Sequence, residues 1–231
     1  FTAAMNREDE RVVEGMKRQS VLRESSLADA ARLGWKSGFG TEGAMELLGV
    51  TQPLTGFLTT ATLAEPGSVV EVDGWGMPLL EAEVAVRIDR EVGPDATPAQ
   101  AASAIGAVAA AIELVDLGSV ESVEEILAGN IFHRKVLLGE FVDLAESGLE
   151  DVRISVDANG AESGPSDPRE VIGEIGRVVA DLADQAELIG ESFRPGDVVI
   201  TGAAVPPAPV QPGERYRIGL NSDSEVSVEV G

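Results

Sequence analysis

Pro78-Leu-Leu-Glu81-Ala-Glu83-Val-Ala-Val-Arg87-Ile88 places two carboxylates one residue apart inside an otherwise apolar, β-branched run. Such a run reads as a strand, and the strand period of two puts Glu81 and Glu83 on one face. Two unscreened negative charges side by side repel each other, which leaves two readings. Either the stretch is a solvent-facing sheet edge, with Arg87 on the same face to pair with Glu83, or a cation sits between the carboxylates. For hard oxygen donors that cation is Mg²⁺, Mn²⁺ or Ca²⁺.

A third acid sits in a similar setting in Ala111-Ile-Glu113-Leu-Val-Asp116-Leu117. Ile112 and Leu114 point to one face and Glu113 to the other, which makes Glu113 a candidate third ligand. Asp116, three residues on, faces the opposite side of a regular strand and reads as a supporting or capping residue. Buried carboxylates are costly unless paired, so a trio implies a metal, cationic partners or well-solvated strands.

Outward from these two strands the pattern is one of short elements. Residues 5–33 are charged and helix-permissive, with a possible second helix start at Ser25 or Ser26, and are read as one or two helices. Glycines at 34, 38, 40, 43 and 49 mark a loop-rich stretch with a short helix at 42–48. Apolar runs at 57–58, 68–72, 79–88, 111–117 and 136–142 are strands of a β-rich core. Thr97-Pro98 caps an Ala-rich helix over 97–111. Beyond it come a strand from Val152 with a hairpin turn at Asn159-Gly160, a helix over 169–189, a strand over 198–202, a proline-stiffened connector and a closing strand over 225–230. We divide the chain into an N-terminal helical region and pocket loop, 1–55, and a β-rich catalytic core, 56–231.

The 231 residues suffice for one sizeable core. With 40 acidic against 17 basic side chains and a formal charge of -23, a phosphate backbone is repelled and no nucleic-acid partner is expected. The same acidity makes carboxylates common on the surface, so only their position argues for a metal. There are no cysteines, which removes disulfides, thiolate nucleophiles and zinc-thiolate sites together. No run of about 18 apolar residues and no secretory pattern is present, so no membrane partner and a cytoplasmic location are expected. The chain starts at Phe1 rather than Met, which suggests an upstream piece.

Two further side chains could carry chemistry. Lys36, in Gly34-Trp-Lys36-Ser-Gly38-Phe39-Gly40, is either a solvated loop lysine or a pocket cation for a substrate carboxylate or a proton. Those glycines match neither a dinucleotide fingerprint nor a P-loop. His133 is the sole histidine; without a Gly-x-Ser-x-Gly elbow it reads as an ordinary surface or packing residue.

Taken in order, Gly34-Trp-Lys36-Ser-Gly38-Phe39, Leu48-Gly-Val-Thr-Gln-Pro53, Gly56-Phe-Leu58, Glu81-Ala-Glu83, Glu113-Leu-Val-Asp116, Gly129-Asn130 with Leu138-Gly139, and Gly196-Asp-Val-Val-Ile-Thr201-Gly202 resemble the 2-keto-4-pentenoate hydratase family. That group includes 2-oxo-3-hexenedioate (4-oxalocrotonate) decarboxylases and lies within the fumarylacetoacetate hydrolase superfamily. The resemblance implies an α+β fold, a mixed β-roll core with a small N-terminal helical region, and a homo-oligomer. It implies Mg²⁺ or Mn²⁺ held by Glu81, Glu83 and Glu113, chelating a small 2-oxo acid and drawing off charge as an enol or dienolate forms. It assigns Lys36 to catalysis and, with Gly38 and Phe39, to substrate binding, and Thr201 and Gly202 to a loop that closes over the substrate.

Departures from the family bear on the reaction. Leu54 stands where the hydratases carry Asp after Gln-Pro, Leu58-Thr-Thr-Ala-Thr62 replaces further acids, and Gly129 replaces an Asp before Asn130. The expected activity is a metal-dependent lyase of the 2-hydroxypentadienoate hydratase type, with decarboxylation the alternative because it uses the same electron sink and fewer proton donors. Hydrolysis of a C–C bond usually needs a His-Glu pair, and His133 lies outside that motif. A non-catalytic protein that binds metal and oxo acid is the reading from a different class.

Overall fold

The computed structural model describes residues 6–119, 122–144, 148–221 and 223–231. The first long element is the helix α1 (Glu10–Asp29), capped by the Asp9 carboxylate on the Arg11 N–H. It runs unbroken through Ser25 and Ser26, so the N-terminal segment is one helix of this length rather than two. Next come β1 (Arg32–Gly38), α2 (Glu42–Leu48), β2 (Leu54–Thr59), β3 (Val69–Val70) and β4 (Pro78–Ile88). The middle of the chain forms α3 (Pro98–Ala104), β5 (Ile105–Asp116), α4 (Val123–Ala128), β6 (His133–Leu138) and β7 (Val142–Asp143). The last third holds β8 (Ile154–Ala158), β9 (Ala161–Ser166), α5 (Arg169–Ile172), α6 (Ile175–Ala186), β10 (Val198–Ala203), β11 (Ala208–Pro209), β12 (Arg215–Leu220) and β13 (Ser224–Val230).

Two mixed sheets carry the α+β architecture expected from the sequence. The larger has the path β2-β1-β10-β4-β5-β6, with β11 added beside β4 and β7 beside β5. Within it β1 and β10 run parallel and the other pairs antiparallel. It curls into a half-barrel. The turn after β2, at one end of the path, meets β6 at the other, where the Val136 N–H donates to Thr62 O at 2.9 Å. The smaller sheet, β3-β13-β12-β8-β9, covers the outer face of the larger one.

Alternation along β4 and β5 explains the layering. Leu80, Ala82, Val84, Val86, Ile88, Val108, Ala110, Ile112 and Leu114 join the main core with β12, β13 and α6. Ala85, Ala109, Ala111, Val136, Val198 and Ile200 form a small apolar cluster on the concave face. Glu81, Glu83 and Glu113 lie on that same concave face, because each is an even number of residues from one of these alanines.

Several local expectations change. The Ala-rich helix stops at Ala104 although its Thr97/Gln100 capping box and Pro98 are in place. The following Ile-Gly-Ala-Val-Ala-Ala-Ala is strand β5, buried on both faces between β4 and β6, where small side chains fit and tertiary pairing overrides helix propensity. Likewise the segment 169–189 is not one helix: α5 ends at Gly173, α6 follows, and its last turn is a 3₁₀ turn over Glu187–Ile189. The stretch read as a glycine-rich loop contains β1, paired on both sides. Arg87 does not reach Glu83; it pairs with Asp89 and Asp143 at the exposed end of β4. No helix among the described residues is long and apolar enough to cross a membrane.

Candidate metal and substrate site

In the β4/β5 register Glu81 lies directly opposite Glu113, and Glu83 is two residues along on the same face. A carboxylate oxygen from each can be chosen so that all lie within 4.8 Å of one another. Glu83 and Glu113 have no exposed surface, while Glu81 is partly exposed at the mouth.

Each buried acid has one oxygen supported by the chain and one left over. A β-bulge sets up the first support. Between the pairs Ile200↔Ala85 and Ala203↔Glu83, β10 has two residues where β4 has one. The Gly202 N–H is thereby released from the ladder and donates to Glu83 Oε2 at 2.6 Å, while the Thr201 hydroxyl donates to Val84 O at 2.9 Å. Glu113 Oε1 accepts from the Lys36 ammonium and lies 2.6 Å from His133 Nδ1. Glu83 Oε1 and Glu113 Oε2 have no hydrogen-bond partner. Buried carboxylate oxygens without donors are what a cation would satisfy.

Charge points the same way. Three ionised carboxylates beside one lysine leave two negative charges in a buried place, which matches a divalent ion. Without one, Glu81 and Glu83 resist ionisation. Burial, then Glu113, pushes the Glu81 carboxyl up to about 7. Burial, then Glu113 and Glu81, pushes Glu83 well above the usual range. Burial also acts to raise Glu113, but the Lys36 charge and the His133 hydrogen bond outweigh it and hold Glu113 below its ordinary value. Burial holds the His133 imidazole down, opposed by Glu113.

Lys36 is buried in the middle of β1, between Gly56 of β2 and Ile200 of β10. Gly56 leaves room for it: a Cβ there would lie 2.7 Å from Lys36 Cγ and 2.8 Å from Asn130 Oδ1. Asn130 clamps β2 from the other side, accepting from Phe57 N at 2.8 Å and donating to Phe57 O at 3.0 Å. From Asn130 the backbone runs through three consecutive positive φ values, at Asn130, Ile131 and Phe132. That turn brings Ile131 O to within 3.2 Å of Lys36 Nζ and delivers His133 to Glu113.

Glu81 faces a cavity of about 200 Å³, with Glu83 and Glu113 buried behind its wall. Lys36, Phe39, Glu81, Thr201 and Gly202 line it, and Thr201 and Gly202 belong to strand β10 and not to a loop. Gly38 is not on the wall; it packs against Ile131. Leu79, Val115, Leu117, Phe132, Ile172 and Val178 make most of the remaining wall apolar. Ser37, not singled out from sequence, lines the cavity with a buried hydroxyl that has no partner.

Two other residues fall differently from expectation. His133 is not an ordinary surface or packing residue, since it is buried against Glu113. A bulge accounts for this: β6 continues the register Glu113↔Val136, Leu114↔Lys135, then shifts to Val115↔His133, which moves His133 onto the concave face. Asp116 caps, as expected, accepting from the Gly76 and Met77 N–H groups, and it also pairs with Arg134. Leu54, in place of the family acid, is buried in a separate apolar cluster with Val12, Met16, Leu127 and Ile131.

Comparison with known proteins agrees with the resemblance read from the ordered motifs. The chain is 26% identical over 204 residues to the 2-hydroxyhexa-2,4-dienoate hydratase of Comamonas testosteroni, covering 85% of this chain and 77% of the relative. It is 26% identical over 205 residues to a 4-oxalocrotonate decarboxylase of Pseudomonas sp, covering 86% and 78%. Among solved structures, 4-oxalocrotonate decarboxylase from Pseudomonas putida G7, complexed with magnesium and adipate, has the same fold with a TM-score of 0.83 at 23% identity, over 93% of this chain and 83% of that one. Fumarylpyruvate hydrolase from Pseudomonas aeruginosa, in complex with Mn²⁺ and pyruvate, matches with a TM-score of 0.67 at 18% identity, over 87% and 89%. The family model for the fumarylacetoacetate (FAA) hydrolase C-terminal region matches residues 37–229, and this chain belongs to that family.

Proposed function

We propose that this chain is a divalent-metal-dependent lyase acting on a small 2-oxo acid, with Glu81, Glu83 and Glu113 as the ligands of Mg²⁺ or Mn²⁺. The trio of carboxylates, two of them fully buried and each with an unpartnered oxygen, carries the reading. A bound ion would supply Lewis acidity to the carboxylate and 2-oxo oxygens of the substrate. The chain's own residues supply the rest. An ammonium has three N–H donors, and Lys36 commits two of them to Glu113 Oε1 and Ile131 O; the third can hold the substrate carboxylate or act in proton transfer at the reacting carbons. Gly202 fixes Glu83 through its backbone, and Phe39, Thr201 and Gly202 shape the wall at the reacting end. The apolar wall excludes water from the tail of the substrate and strengthens the charge interactions beside it.

Hydration of a 2-hydroxydienoate is the leading reaction, in keeping with the 2-hydroxyhexa-2,4-dienoate hydratase among the relatives. Lys36 is the only cation on the described wall, so a substrate with an apolar tail fits without an unpaired charge. Decarboxylation is the second reading, favoured by Leu54: an acid is missing where the hydratases carry one, and loss of CO₂ does not require a positioned water. The test is incubation of the purified protein and Mg²⁺ with 2-hydroxypenta-2,4-dienoate and with 2-oxo-3-hexenedioate, following dienol absorbance and CO₂. Loss of the dienol supports hydration and CO₂ from the second compound supports decarboxylation. Failure to turn over either, with metal bound, overturns the lyase reading.

A further inference from the structure

The hydroxyl of Thr62, in the segment where the hydratases carry acids, lies 2.9 Å from His133 Nε2, and the other ring nitrogen lies 2.6 Å from Glu113 Oε1. We propose that Thr62 and His133 form a relay of hydrogen bonds that positions Glu113, turning a single carboxylate oxygen over to the chain and reserving the other for the cation. This rests on the reading of Glu113 as a metal ligand and adds a residue pair that the ligand set does not contain.

The geometry determines which nitrogen carries the proton. Glu113 Oε1 already accepts from the Lys36 ammonium, so it is an ionised acceptor. A bare Nδ1 lone pair at 2.6 Å from it would be repulsive, so Nδ1 is the donor. Thr62 suits either state of the far nitrogen. Its hydroxyl can donate to Nε2, or it can donate to Thr59 O at 3.1 Å and accept from Nε2–H. Thr62 is itself fixed, because its carbonyl accepts from the Val136 N–H of β6. The relay therefore starts from backbone that closes the half-barrel and ends on a carboxylate. With Oε1 held by Lys36 and His133 together, rotation of the Glu113 carboxylate is blocked and Oε2 is the oxygen without a protein donor. A hydrogen-bonded partner behind a metal ligand commonly changes metal affinity about 10–100-fold.

His133 being the sole histidine makes the test direct. In the intact chain, proton–nitrogen correlation of the one imidazole should show a proton on Nδ1, both without metal and with diamagnetic Mg²⁺ added. A neutral ring protonated only on Nε2 overturns the proposal without any variant having to fold. Calorimetric titration with Mn²⁺ then compares His133→Leu, which removes the donor, with His133→Asn, whose amide nitrogen occupies the place of Nδ1. The expected result is an affinity lower by about 10–100-fold in the leucine variant and largely restored in the asparagine variant. Equal affinity in His133→Leu and the unaltered protein, or an equal loss in both variants, overturns the relay. Absence of Mn²⁺ binding by the unaltered protein would instead overturn the metal site itself.

Discussion

The backbone N–H of Gly202 donates to Glu83 Oε2 at 2.6 Å, so a buried acid at the centre of β4 is held by a residue of the bulge in β10. Gly202 has φ +98, and a Cβ there would lie 3.3 Å from Ser37 Oγ. Gly202→Ala therefore strains the backbone by about 1–3 kcal/mol and turns the N–H away from Glu83. The expected outcome is a melting temperature lower by several degrees, together with weaker Mn²⁺ binding in calorimetry. An alanine variant with unchanged affinity would show that the bulge does not position Glu83.

Glu83→Gln separates the two roles of the acid. The isosteric amide removes a charge whose ionisation burial opposes, so the metal-free variant should be at least as stable as the unaltered protein near pH 8. It should also lose the rise in melting temperature on adding Mg²⁺ or Mn²⁺. Thermal denaturation with and without the ion reads both effects. A variant that retains the metal-induced rise would refute the assignment of Glu83 as a ligand.

The pH dependence of the metal-free protein has a defined sign. Burial, followed by Glu113, pushes Glu81 up to about 7 from 4.5, so the folded state binds its proton more tightly than the unfolded chain. The stability this contributes is complete below about pH 4.5 and is lost as pH rises through about 7. Glu83, raised further by burial and by Glu113 and Glu81, extends the loss upward. Between pH 5 and 8, a decline on the order of 2 kcal/mol is expected, or about 4–8 °C for a chain of this size. Divalent metal reverses the trend, because it competes with those protons, and its stabilising increment should grow with pH. Melting curves in chelator and in Mg²⁺ across this range provide the measurement; a flat metal-free profile would contradict the burial of these charges.

How far the site could be read from the sequence follows from which residues obey a regular period. Glu81, Glu83 and Glu113 lie in uninterrupted stretches of β4 and β5, and alternation alone puts them on one face. The place of His133 and the hydrogen bond from Gly202 to Glu83 are not legible, because each depends on a bulge, and a one-residue shift in register reverses which side chain faces inward. Gly34, Gly38 and Gly40 make the segment around Lys36 read as a loop, whereas pairing with both β2 and β10 makes it a central strand. The Ala-rich end of the predicted helix became β5 for a related reason: alanine fits the crowded middle of a sheet as readily as a helix, and only the neighbouring strands decide. Strand β12 had no strong apolar run, since its outward residues include Arg215 and Arg217.

Asn130 offers a test of how the cation and the acid are brought together. Its side chain makes the pair of hydrogen bonds that join the Asn130–Phe132 turn to Phe57 of β2, and both backbone groups of Phe57 are buried. Asn130→Ala leaves that N–H and carbonyl unpaired, a cost of about 1–3 kcal/mol for each. It also loosens the turn that presents Ile131 O to Lys36 and His133 to Glu113. A large fall in melting temperature is expected, and the surviving folded fraction should bind Mn²⁺ more weakly than its stability alone accounts for.

The tail of the substrate gives the last prediction. Leu79, Val115, Leu117, Phe132, Ile172 and Val178 face the cavity, and Lys36 is the only cation on the described wall, already paired with Glu113. A second carboxylate on the tail would lose water without gaining a charged partner, at a cost of several kcal/mol. A 2-hydroxydienoate with an apolar tail should therefore be bound at least about a hundredfold more tightly than its analogue ending in a carboxylate, since about 2.7 kcal/mol already corresponds to that ratio. Replacing Val115 with Arg should narrow the ratio, because the new guanidinium can pair with the distal carboxylate while the apolar tail gains nothing. Competition binding in the presence of Mg²⁺ measures it directly. Equal affinity for both tails in the unaltered protein would mean that the distal carboxylate is carried clear of this wall.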